Sequence, residues 1–164
     1  MSRPRDLREI EPLLGRDLEL GYAWGGGFFE DADLVESQAA GERSGAPPAR
    51  DLRLAAGLDN LTQAIANRLK TRRGELAPLG HPDYGSRHHD LVGEPNVERT
   101  RNLVKLYVLQ ALRQEPRIEK VLRAEVRAEQ LPPRETVRIE LALRIVGRAE
   151  PLNLVVPFSL EAIS

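Results

Sequence analysis

The sequence predicts an α+β fold: a small antiparallel sheet of three or more strands packed against two amphipathic helices, with an irregular N-terminal arm. Three observations carry this. Apolar residues recur at helical spacing in two stretches that begin near residues 58 and 97. They alternate with polar and charged residues in three stretches after residue 120. Residues 1–50 do neither, and glycine and proline punctuate them throughout.

Residues 1–50 form the arm and residues 51–164 the domain. The arm holds GYAWGGGFF and the polar run ESQAAGERSGAPPAR, with a short strand expected at residues 17–22. Tyr22, Trp24, Phe28 and Phe29 crowd beside three consecutive glycines. Apolar side chains so placed either anchor the arm on another surface or pack on its own domain.

DLRLAAG, from Asp51, reads as a short strand ending in glycine. In LDNLTQAIANRLKTRRG, Leu58, Leu61, Ile65 and Leu69 fall on one helical face, opposite Asn67, Lys70 and Arg72. Asp59 or Asn60 is the candidate cap, and Gly74 suits a left-handed stop. Asn96 is the candidate cap of a second helix, VERTRNLVKLYVLQALRQE, with a stripe of Val97, Leu103, Val104, Tyr107, Val108, Ala111 and Leu112. Pro116 lacks an amide hydrogen and biases Glu115 out of the helix, which places the boundary near Gln114. The alternating stretches then present Leu122, Ala124, Val126 and Ala128; Val137, Ile139, Leu141, Leu143 and Ile145; and Leu152, Leu154, Val156, Phe158 and Leu160. Period two with one apolar face predicts half-buried antiparallel strands, with LPPRE and GRAEP as turns. Pro157 places the last strand at an edge.

At 164 residues the chain is expected to build one core. Charged residues make up 30%, yet they cancel to a net of -1, so no field of one sign is available for nucleic acid. No segment approaches the roughly 20 apolar residues of a membrane span, and the N-terminus lacks a signal-peptide run; a soluble protein is expected. The absence of cysteine excludes disulfides and thiolate metal sites. Lys70, Lys105 and Lys120 are the only lysines. The arginine excess suits interfacial ion pairs, although biased base composition produces the same excess.

All three histidines fall within GHPDYGSRHH. His88 and His89 are adjacent and would point to opposite faces of an extended chain, and His81 precedes a proline, so no convergent metal-ligand spacing exists and surface histidines on a loop are expected. Glu75 and Asp83 flank the loop and are the candidate acid and base pair, but no cluster of aromatics offers a sugar platform. No nucleophile elbow or phosphate loop is present.

Two motifs in order, TRRGEL (71–76) followed by HPDYGS (81–86), and then Glu115-Pro116-Arg117, with an amphipathic helix before each, resemble the sheath-initiating baseplate wedge family of contractile phage tails. Relatives occur in type VI secretion systems and extracellular contractile injection systems. The resemblance spans residues 51–160 and leaves the aromatic arm uncovered. It implies a structural baseplate component, without catalytic residue, metal or cofactor, that joins the wedge subunits to the first sheath ring and templates the sheath by strand addition. The implied partners are other wedge subunits, the sheath protein and the central hub or tube proteins, with roughly six copies per particle adding by multivalency. Assembly in the bacterial cytoplasm, as part of a tail-like particle, is implied too. Glu115, Pro116 and Arg117 would contact neighbouring wedge subunits, with both charges projecting from a rigid corner; from the residues alone, a local ion pair at a proline-terminated helix is the plainer reading. Gly74, Glu75, His81, Pro82, Asp83, Tyr84 and Gly85 would form a shaped structural loop between the helices. Because some members of the family are labelled lysozyme-like, a cell-wall-cleaving baseplate enzyme is the alternative.

Overall fold

The computed structural model describes residues 13–21, 33–38, 50–130 and 135–161. Six short strands come first: β1 (Arg16–Leu18), β2 (Leu20–Gly21), β3 (Asp33–Leu34), β4 (Glu36–Gln38), β5 (Arg50–Leu52) and β6 (Leu54–Ala56). Helix α1 (Gly57–Lys70) and helix α2 (Glu98–Leu112) follow, separated by a loop with 3-10 turns at Ala77–Leu79 and Arg87–Leu91. The chain closes with β7 (Ile118–Ala128), β8 (Thr136–Ile145) and β9 (Leu152–Ser159), an antiparallel sheet in the order β7-β8-β9. This is the α+β arrangement that the two periodicities predict.

The core lies between that sheet and the two helices. Leu61, Ile65 and Leu69 from α1, and Val104, Val108, Ala111 and Leu112 from α2, pack in one cluster with Val137, Ile139, Leu141, Leu143 and Ile145 of β8. From β9, Leu154, Val156 and Phe158 complete it, followed by Leu160 just beyond the strand. Each side chain so buried contributes about 1.5–3 kcal/mol. Val97, counted in the α2 stripe, precedes the helix and is exposed.

Two local devices shift what periodicity alone predicts. In β7 the register slips between Ile118 and Lys120 and between Val121 and Arg123. Each bulge inserts a residue and flips the alternation. Val121 therefore opposes Leu143 and packs against the core, whereas Leu122, expected to face inward, is 42% exposed. The helix ends differ as well. Ala56 and Val97 occupy the cap positions of α1 and α2 without a side-chain hydrogen bond. Asn96 instead accepts from Arg101 Nη1 through its backbone and side-chain oxygens, at 3.1 and 3.0 Å. At the far end of α1, Thr71 Oγ1 donates to the Asn67 carbonyl at 2.8 Å and closes the helix. Gly74 is left-handed, with φ +88°, but it serves the turn beyond, in which Glu75 N–H donates to Arg72 O.

β9 is an edge strand, as Pro157 requires. Leu160 N–H donates to Glu135 O, and antiparallel ladders alternate inward and outward backbone pairs. Val155 and Pro157 thus turn their backbone nitrogens to the open edge, where a missing amide hydrogen breaks no ladder bond. By the same count from Glu129 N–H, which donates to Thr136 O, Val126 faces the open edge of β7.

In the arm, β1 and β2 occupy most of the strand expected at 17–22, with Tyr22 beyond the described residues. β1 pairs with β6, β2 with β3, and β4 with β5, all antiparallel. Trp24, Phe28, Phe29 and the glycines between them also lie outside the described residues, as do residues 131–134 of the turn before β8.

Candidate partner-binding site

The loop and the Glu115-Pro116-Arg117 corner meet through one arginine of α1. After Thr71 the chain makes a parallel bridge between Arg72 and Ser86, with Arg73 N–H donating to Ser86 O at 3.1 Å and Ser86 N–H to Thr71 O at 2.9 Å. Two backbone segments can run this close only if the residue before Ser86 has no side chain. Gly85 has φ +97°, and a Cβ there would lie 2.6 Å from Thr71 O. The bridge directs Tyr84 toward α1, where the Arg68 guanidinium sits 4.5 Å from the ring centroid. Burial raises the Tyr84 phenol above its ordinary pKa.

Arg68 also reaches Glu115, at 3.9 Å. Helix α2 tightens after Leu112, with Gln114 N–H donating to Ala111 O and Glu115 N–H to Leu112 O, and Pro116 prevents its resumption. The Glu115 carboxylate turns inward, leaving the residue 4% exposed, and takes a forked pair from Arg117: Nε at 2.6 Å and Nη2 at 3.0 Å. Burial would raise the Glu115 carboxyl, but the hydrogen bonds and charge of Arg117 outweigh it and hold the carboxyl below the usual range. The same hydrogen bonds raise Arg117. The expectation that both charges project is therefore corrected. Glu115 is an internal counter-ion, Pro116 is exposed, and Arg117 is partly so. Its remaining reach is inward too: Nη1 donates to the Leu14 carbonyl of the arm at 3.0 Å.

Tyr84, Glu115 and Arg117 thus belong to one cluster, while the other loop residues face elsewhere. Asp83 pairs with Arg73 at 2.6 Å, Glu75 accepts from the Arg72 N–H at 3.0 Å, and His81 and Pro82 are exposed. Of the two carboxylates of the acid and base pair, Asp83 is held by an arginine side chain and Glu75 by a backbone amide. His88 is not a surface histidine. It is 1% exposed on a 3-10 turn, stacked on His89 at 4.3 Å, edge-on to Phe158 at 4.4 Å, with Nδ1 2.7 Å from Ser86 Oγ. Burial, reinforced by His89, lowers its pKa to about 3, so it is neutral and structural at ordinary pH.

Three further residues carry the site: Arg68 and Gln63, which the sequence reading does not mark, and Asn60, which it offers only as a helix cap. Asn60 Nδ2 donates to Leu14 O at 2.8 Å; Gln63 Nε2 donates to Leu18 O at 2.7 Å, and its Oε1 accepts from Leu20 N–H at 2.9 Å. The signal for Asn60 and Gln63 is a second stripe, since Asn60, Gln63 and Asn67 recur at helical spacing beside the leucines. Polar groups buried at such positions need partners, and here the partners are backbone groups of the arm.

Residues 55–150 match the baseplate wedge protein gp25 family. A crystal structure described as a tail lysozyme of Geobacter sulfurreducens superposes with a TM-score of 0.57 at 27% identity, covering 65% of this chain and 94% of that one. A chain of a type VI secretion baseplate complex gives 0.49 at 21% identity, covering 62% and 92%. No curated protein matches the chain significantly. Since the matched residues hold both helices, all of β7 and β8, the bridged loop and the Glu115-Arg117 corner, the chain belongs to the baseplate wedge protein gp25 family and is a structural component of a baseplate.

Proposed function

We propose that this protein joins the wedge subunits of a contractile tail-like particle to its first sheath ring, and that an extended segment of the sheath protein adds to the open edge of its sheet. The supporting observation is that β7 and β9 are both edge strands, with no further strand paired to either among the described residues. An edge of this kind offers unpaired N–H and C=O groups to a partner strand. Arg117 and Pro116 form the wedge-facing corner in this reading, with Glu115 beneath them as counter-ion. The role needs no catalysis, and several copies around the baseplate strengthen modest individual bonds.

Proline placed singly at Val126 and at Val155 tests the edge, because both backbone nitrogens point away from β8. Leu141→Pro, in the central strand, serves as the control that disrupts folding. The expected result is that one edge variant folds, enters the baseplate and fails to start the sheath. Sheath growth from baseplates carrying each of the two edge variants in turn would overturn the reading. The enzymatic alternative, prompted by the name of the Geobacter protein, is checked by a turbidity assay on cell walls. Asp83 is paired with the Arg73 side chain and Glu75 accepts from the Arg72 backbone amide, so each carboxylate already has a partner within the loop.

A further inference from the structure

The arm strands meet in a closed three-way junction. Glu19 N–H donates to Arg53 O at 2.8 Å, Arg53 N–H to Val35 O at 2.8 Å, and Val35 N–H to Glu19 O at 3.0 Å. Each of the three tripeptides LEL (18–20), LVE (34–36) and LRL (52–54) changes partner at its middle residue. The registers pair Leu18 with Leu54, Leu20 with Leu34 and Glu36 with Leu52. Residues two apart in a strand share a face, and so do residues directly opposite. The six flanking positions therefore lie on one face as a ring of five leucines and Glu36, while the Glu19-Arg53 ion pair occupies the other face. Gln63 fixes the ring to α1 by its bonds to Leu18 and Leu20.

No described residue covers this apolar face. Leu18, Leu34, Leu52 and Leu54 are between 38% and 58% exposed, and contiguous leucines in water mark an interaction site more often than an accident. The surrounding charge narrows what can cover it. Among the described residues between Leu13 and Ala56, five carboxylates stand against three arginines, a net of -2. Two copies meeting face to face would press these acidic arms together, whereas an apolar segment with cations beside it gains at both the centre and the rim. Every residue of the ring precedes residue 55, where the family match begins, so the ring lies outside the matched residues.

We propose that the leucine ring is a docking surface for a segment of another protein that is apolar at its centre and flanked by lysine or arginine. The proposal does not depend on the sheath reading. Photo-crosslinking residues introduced singly at Leu34 and Leu54 of the full chain, in cells producing the particle, test it, with exposed Leu79 in the inter-helix loop as the control position. Both ring positions are expected to capture the same segment of one other protein, with that composition. That segment, synthesised, is expected to bind the purified chain, to weaken at least about tenfold when Leu34→Asp and Leu54→Asp are combined, and to weaken as salt rises. An unchanged thermal melt shows that the variant is folded, and Leu54→Ser replaces it if it is not. Capture of a second copy or of lipid, capture no greater than at Leu79, or binding indifferent to the leucine substitutions would overturn the proposal. The crosslink is read whether or not the chain nucleates sheath, so the two readings fail separately.

Discussion

Protonating His88 should cost this fold several kilocalories, and the cost can be isolated by substitution. In the folded protein the imidazole is buried beside His89 and Phe158, and its pKa is lowered from 6.5 to about 3. In the unfolded chain it titrates normally. Below pH 6.5 the unfolded state thus binds a proton that the folded state refuses, so stability present above that pH is lost progressively as pH falls toward 3. One pH unit corresponds to about 1.4 kcal/mol, so the loss between pH 7 and pH 4.5 comes to about 2.5 kcal/mol from this group. At this chain length that lowers Tm by about 5–10 °C. His88→Phe retains an aromatic ring against Phe158 but removes the titration, at a constant cost from the lost Ser86 contact. Denaturant melts of both proteins from pH 7 to 4.5 cancel the carboxylates they share. The wild type is expected to lose about 2.5 kcal/mol relative to His88→Phe over this range. Parallel curves, or an NMR titration of His88 near 6.5, would refute the argument from burial.

Gly85→Ala combines a left-handed backbone with a clash against Thr71 O and should destabilise by about 3–5 kcal/mol, while Gly74→Ala, with open space around its Cβ, should cost about 1–2 kcal/mol. Thermal melts of the two variants separate the contributions, and equal costs would contradict the close approach. Arg117→Ala leaves a buried carboxylate and Glu115→Ala leaves a partly buried guanidinium, so each should cost about 2–4 kcal/mol and the double variant less than their sum, a coupling that a double-mutant cycle measures directly. Gln63→Ala removes two hydrogen bonds to the arm, at about 1 kcal/mol each; hydrogen exchange should accelerate at the Leu20 amide and stay unchanged in β8.

The inter-helix loop shows where local sequence stops being informative. Gly85 was visible as a turn residue, but the reason that only glycine serves there is the carbonyl of Thr71, and no spacing rule predicts that bridge. Nothing in the helical pattern of α1 marks Arg68. Its position over Tyr84 and near Glu115 depends on the loop and the second helix arriving together. The corner itself was legible as a helix stop with a local pair. The inward turn of Glu115 was not, because the Arg117 hydrogen bonds that offset its desolvation include no signal along the chain.

What the sequence determined by itself was whatever a single element decides alone. The faces of α1 and α2, the alternation of β8 and β9, and the edge position of β9 all follow from periods of 3.6 and 2 and from one missing amide hydrogen. The tertiary structure decided the rest, since it required groups distant along the chain to compete for one place. Bulges put Leu122 outside and Val121 inside; Phe158 made His88 a core residue; Asn60, Gln63 and Arg117 gave up solvent for the backbone of the arm. Three scattered tripeptides became one exposed ring through three strand pairings. A pattern shows which side of an element is apolar, but burial is a property of neighbours, and only the assembled chain supplies them.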